Sequence, residues 1–188
     1  MAKDKNTVYV FIDASNLWAV QKVKGYFFDF EKLKQFLKER YDAGTIQVFY
    51  YTAYPAEGTR DYDTSGKHKF FTYLKKALGF EVRKKELKRI TIHELAGDRV
   101  EEKGNMDVEM TIDVMYHINK YDTAIFFSGD SDFLALVAHL RNNKKQVFIY
   151  SSRSNISEEL RTGADGYVDV LAIEKDIWGK ELKHRDQK

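Results

Sequence analysis

The chain has 188 residues, 31 Lys and Arg against 29 Asp and Glu, and no cysteine. Near-balanced charge removes net charge as a pointer to nucleic acid, so the local distribution must carry that argument. The missing thiols exclude disulfides, thiolate metal sites and cysteine nucleophiles.

The first residues run straight into Thr7–Ile12, a β-branched and aromatic run that predicts a buried central strand ending at Asp13. Ala14, Ser15 and Asn16 make the turn, with Ser15 or Asn16 as the expected helix cap. Asp29 caps an expected helix to about Arg40, whose Phe30, Leu33, Phe36 and Leu37 share one face. Gly44 stops it, and residues 46–52 read as the next strand. A polar loop over Pro55–Gly66 leads to an amphipathic helix built on Phe70, Phe71, Leu74, Ala77 and Leu78.

Residues 80–83 and 89–95 read as strands, the second as a hairpin arm, and 98–104 as a charged loop. Asn105 is the expected cap of a helix over 106–119. Its apolar residues cover a broad arc, so it is expected to be largely buried. Thr123–Phe127 has no charge and no alternation, which is how a strand covered on both faces reads. It stops at Ser128-Gly129, and Asp130 and Asp132 follow before a helix begins at Phe133. A further strand over 146–150, a short helix over 157–162 and a last strand over 167–171 complete the alternation.

Alternating strands and helices without a linker imply an α/β fold: one domain, three α/β/α layers, a mostly parallel central sheet. Residues 174–188 are dominated by charge and are expected to be a frayed helix or disordered. Trp178 reads as an exposed aromatic that could meet a partner, including a second copy. No secretory segment and no apolar run of spanning length is found, so the expectation is a soluble cytoplasmic protein with no membrane contact.

Asp13, Asp130 and Asp132 follow the ends of two buried strands, and Asp107 lies in the first turn of the preceding helix. Singly, each reads as a cap or a surface acid. Together, at the carboxyl edge of one sheet, they require a cation. Oxygen ligands favour Mg²⁺ or Mn²⁺ over zinc. Asn16, Ser128 and Ser131 could position a phosphate or water, although turn chemistry explains them equally well, and Ser154 and Asn155 at the end of another strand on the same rim carry the same ambiguity. Residues 67–89 hold nine basic side chains against two acidic ones. Lys84, Lys85, Lys88 and Arg89 are therefore the candidate backbone contacts for a phosphodiester substrate, or else a solvated edge. No glycine-rich phosphate loop is present.

Phe11-Ile12-Asp13-Ala14-Ser15-Asn16-Leu17, Lys103-Gly104-Asn105-Met106-Asp107-Val108 with Asp113, and Ser128-Gly129-Asp130-Ser131-Asp132-Phe133 resemble the three motifs of NYN domains, the LabA-like branch of PIN-like nucleases. The later Ser151-Ser152 and Leu160–Asp165 stretches are also similar, so the resemblance spans about Thr7 to Val170. It implies a PIN-like domain over 1–173 and a metal-dependent endoribonuclease acting on single-stranded or structured RNA. Asp13, Asp107, Asp130 and Asp132 would be its acidic set. Asp13, Asp107 and Asp130 would hold Mg²⁺ or Mn²⁺, with Asp132 completing the shell or orienting water. Asn16 and Asp113 would support them. A non-catalytic RNA-binding or adaptor module with a vestigial ion site is the alternative. A phosphatase for small phosphate esters shares the carboxylates but not the need for a basic stretch.

Overall fold

The computed structural model describes residues 5–56, 59, 65–94, 97–173 and 177–182. The elements in chain order are β1 (Asn6–Asp13), α1 (Ala14–Lys24), β2 (Tyr26–Phe28), α2 (Phe30–Arg40), β3 (Ala43–Tyr54) and α3 (Ser65–Lys76). Then come β4 (Glu81–Glu86), β5 (Lys88–Glu94), β6 (Gly97–Lys103), α4 (Asp107–Tyr116), β7 (Thr123–Phe127), α5 (Leu134–Asn142), β8 (Gln146–Ser151), α6 (Glu158–Gly163), β9 (Gly166–Asp169) and β10 (Trp178–Glu181).

Six strands form the main sheet in the order β4-β3-β1-β7-β8-β9. Every pairing in it is parallel. All five residues of β7 are buried, as its uncharged sequence requires. Alternation along β1 sends side chains to two cores. Val8, Val10 and Ile12 join Leu17, Leu33, Leu37 and Leu74 under α1, α2 and α3. Phe11 faces the other way, with Phe126, Met110, Val137 and Leu160 under α4, α5 and α6. Three layers result, and deleting a ring such as Phe126 would cost about 3–5 kcal/mol.

The topology fixes where a site can form. From β1 the chain builds outward through β3 to β4, then returns to lay β7 on the opposite side of β1. Connections leaving β1 and β7 therefore diverge to opposite sheet faces, and a crevice opens between them at the carboxyl edge.

Several expectations need correction. Residues 97–103 are not a loop: β6 pairs antiparallel with β5 over the register from Lys88↔Lys103 to Glu94↔Gly97. Its charges are tolerated because the hairpin is solvated, with Ile90 and Val100 themselves exposed. The fourth helix is shorter than 106–119 and is capped by neither side chain of Asn105 nor of Met106. It is also not largely buried: Met110 and Val114 face the core, while Val108 (65%), Ile112 (61%) and Tyr116 (74%) face solvent. A helix lying on one face of a sheet can bury only one stripe, whatever its composition.

The charged end of the chain contains β10, which pairs with β2 through Trp178↔Phe28 and Glu181↔Tyr26. Residues 177–182 are thus neither a frayed helix nor free; residues 174–176 and 183–188 lie outside the described set. Trp178 is not an exposed aromatic. It is 7% accessible, stacks on Phe28 at 4.4 Å and donates its Nε1–H to the Ile173 carbonyl. Most of the Pro55–Gly66 loop also lies outside the described residues.

Candidate metal centre

β1 ends where β7 ends: Ile12 pairs with Phe127, so Asp13 is level with Ser128. Asp13 itself caps α1, where the sequence pointed to Ser15 or Asn16. Its Oδ1 accepts from the Ser15 backbone N–H at 2.9 Å and hydroxyl at 2.8 Å, and its Oδ2 from Asn16 Nδ2 at 2.6 Å. The carboxylate is 8% accessible and fixed in orientation.

Asn16 holds the two halves of the crevice together. Its Oδ1 accepts from the Gly129 N–H at 3.0 Å and from Asn155 Nδ2 at 2.7 Å. One amide thus ties the loop after β1 to the turn after β7 and the loop after β8. Gly129 is required at that junction, because a Cβ there would lie 1.7 Å from the Asn155 carbonyl oxygen. Ser128 is buried, and its hydroxyl accepts from the Asp130 N–H at 3.3 Å. Asp130 Oδ1 in turn accepts from the Asp132 N–H at 3.0 Å. The turn from β7 into α5 is a chain of side-chain caps that aims two carboxylates the same way.

Asp107, Asp130 and Asp132 converge, each presenting a carboxylate oxygen within 4.8 Å of the others. Asp107 and Asp130 are half-buried and Asp132 is exposed. The Asp107 carboxyl is pushed above its ordinary range, first by burial and then by the charges of Asp13, Asp130 and Asp132; Lys85 opposes weakly. Among the described residues, none of these four acids makes an ion pair. Three hard oxygen donors in one hollow, with like charges raising the cost of ionisation, suit a divalent cation. The tight group differs from the expected Asp13, Asp107 and Asp130. Asp132 belongs to that group, while Asp13 accepts three hydrogen bonds from its cap and its charge still acts on Asp107.

Asp113 stands apart from that group. Arg83 Nε donates to it at 2.8 Å, and the buried Tyr51 hydroxyl donates at 3.1 Å. Its place six residues beyond Asp107 turns it onto another part of α4. Ser131 is exposed beside Asp130. The basic stretch does not form one patch. Lys85 pairs with Glu109 on α4 at 2.8 Å. Lys84, next along the edge strand, points to the opposite sheet face, its ammonium over Tyr54 and Phe71. Arg89 lies 3.9 Å from Glu102 across the hairpin, and Lys88 is exposed.

Asn155, which the sequence leaves equally a turn residue and a positioning residue, is fixed at the site by its hydrogen bond to Asn16; sequence reasoning missed Gly129 altogether. Only the closeness of β8 to β7 in space makes Asn155 legible, and a glycine between two turn residues carries no warning of the backbone that crowds it.

The chain matches the family model for the NYN domain over residues 7–173. It is 30% identical to the low amplitude and bright protein LabA of Synechococcus elongatus over 174 residues, 92% of this chain and 88% of that protein. A crystal structure of a Vibrio parahaemolyticus protein of unknown function superposes with a TM-score of 0.70 at 23% identity. The match covers 95% of this chain and 99% of that one, and it bears on the fold alone.

Proposed function

The chain belongs to the NYN-domain family, and from that premise we propose that it is a metal-dependent endoribonuclease that hydrolyses RNA phosphodiester bonds. The observation that carries this reading is the convergence of Asp107, Asp130 and Asp132 within 4.8 Å, unpaired by any cation among the described residues. Mg²⁺ or Mn²⁺ fits those oxygen donors and, when bound, supplies charge stabilisation at a phosphate and a water of lowered pKa.

The remaining roles fall to the chain. Asp107, Asp130 and Asp132 would hold the ion. Asp13, locked by Ser15 and Asn16, is the carboxylate set to orient the attacking water and accept its proton. Asn16 and Ser128 keep the two turns in register, and the exposed Ser131 hydroxyl is free to donate to a phosphate oxygen. Lys84, Lys88 and Arg89, along the outer strand and hairpin, supply backbone contacts whose strength falls with salt.

Cleavage of single-stranded RNA in Mn²⁺, lost in Asp130→Asn with the fold retained, is the test. Wild-type rates in that variant would overturn the mechanism. One observation favours a second reading, an ion site in an RNA-binding module without turnover: the Asp13 carboxylate already accepts three hydrogen bonds. RNA binding with no cleavage in any divalent metal would select it.

A further inference from the structure

α1 leaves the acidic crevice directly, with Asp13 as its cap. Its solvent face carries Ser15, Trp18 and Lys22, spaced three and four residues apart, hence one stripe running away from the site. Trp18 is 43% accessible, a large exposure for the largest side chain. The Phe27 ring, 42% accessible, stacks on it at 6.2 Å and 30°. Tyr26 beside it is 41% accessible. Two roughly parallel aromatic planes thus stand in water, held by a helix and by a strand that β10 secures.

Along the segment that carries the rings the charge is of one sign. Residues 14–28 contain Lys22 and Lys24 and no acid. Lys22 makes no ion pair among the described residues. Lys24 is anchored to the Leu171 carbonyl and lies over the Trp178 ring, with no carboxylate partner among the described residues. Glu181 stands opposite Tyr26 at the far end of the patch, and Asp29 follows β2. A self-docking apolar face would gain nothing from unpaired ammonium groups. A polyanion whose monomers each carry a flat ring matches both features.

We infer that the Trp18–Phe27 pair with Lys22 is a stacking platform for an unpaired base of single-stranded RNA flanking the scissile phosphate. The five residues from Asp13 to Trp18 advance about 7.5 Å along the helix axis, within reach of a neighbouring nucleotide. A duplex, its bases already stacked and paired, cannot use the platform. The proposal therefore names the substrate class, single-stranded RNA, and in that respect it rests on the nuclease reading.

The test titrates a short single-stranded RNA oligonucleotide, and the same sequence as a duplex, into the full chain carrying Asp107→Asn to prevent cleavage. Trp18 fluorescence is read, with buried Trp178 as the unaffected reference. The expected result is quenching by the single strand and not by the duplex. Trp18→Ala should weaken single-strand binding by about 10- to 100-fold, Phe27→Ala less, and Trp18→Phe should recover most of it. In the chain with Asp107 restored, Trp18→Ala should raise KM and leave kcat nearly unchanged.

Quenching with no cleavage by the wild-type chain would remove the nuclease reading and leave the platform. Normal cleavage with unchanged affinity in Trp18→Ala would remove the platform and leave the nuclease. A Trp18→Ala variant that binds RNA normally but changes its sedimentation would overturn the platform in favour of a protein-docking face.

Discussion

Asp107 and Asp113 sit on one helix, six residues apart, and live in opposite electrostatic settings. Asp113 is met by Arg83 and by the Tyr51 hydroxyl, and neighbouring Glu109 by Lys85, which holds that carboxyl below its ordinary range. Asp107 accepts a hydrogen bond from the Asn105 amide but faces the charges of three other carboxylates, with Lys85 opposing weakly, and its own carboxyl is pushed up, first by burial. The outer flank of α4 is finished as the chain folds; the inner end is left with charge to be compensated. The contrast teaches that an acid's role follows from what faces it, and that a site for a cation is where the protein has withheld its own.

The comparison can be broken at the turn that builds the inner end. Gly129→Ala puts a Cβ into the Asn155 carbonyl, so backbone must move. A stability loss on the order of 3–5 kcal/mol is expected in chemical denaturation, together with loss of metal binding. An unchanged denaturation midpoint would mean that the crevice is looser than described.

Removing one inner acid should separate activity from stability. Asp130→Asn is expected to lower Mn²⁺-dependent RNA cleavage by at least about 100-fold. Its metal-free melting temperature should stay level or rise, because a repulsion is relieved. Adding Mn²⁺ to the wild-type chain should do the reverse of that repulsion. At a hundredfold excess over Kd it should stabilise by about 2.7 kcal/mol, seen as a melting shift absent from the variant.

The sign of the pH dependence follows from Asp107. A carboxyl whose folded pKa lies above its unfolded value binds more protons when folded, so its contribution to stability falls as pH rises through that interval. Metal-free protein should therefore lose a stability increment from this group above the ordinary carboxylate range, and Asp107→Asn should flatten that loss in melts taken across the acid range. On the outer flank the smallest effect is expected. Arg83→Ala, half-exposed, should cost about 1 kcal/mol and leave Mn²⁺-dependent cleavage within about twofold, measured under the same conditions.

Much of this contrast was readable beforehand, and for physical reasons. Two uncharged runs, Thr7–Ile12 and Thr123–Phe127, can only be strands covered on both faces, and acids at their ends must share an edge if the strands are neighbours. The spacing of Asp107 and Asp113 already placed them on different sides of a helix. What stayed hidden depends on contacts between distant segments. Asp13 turns out to cap its own helix, and Asp132 lies in the tight group with Asp107 and Asp130. The run of lysines along β4 alternates between two sheet faces, which charge counting cannot resolve. Trp178 looked exposed because its partner, Phe28, lies 150 residues earlier and is joined to it only by a two-strand pairing. The aliphatic face of α4 looked buried because composition does not say which stripe meets the sheet.

The most direct test of the central claim is a crystal soaked in Mn²⁺ and measured at a wavelength where manganese scatters anomalously. A peak bounded by carboxylate oxygens of Asp107, Asp130 and Asp132 is expected, and its disappearance in Asp130→Asn. Clear density for these side chains with no peak between them, or with a lysine or arginine seated there in its place, would contradict it.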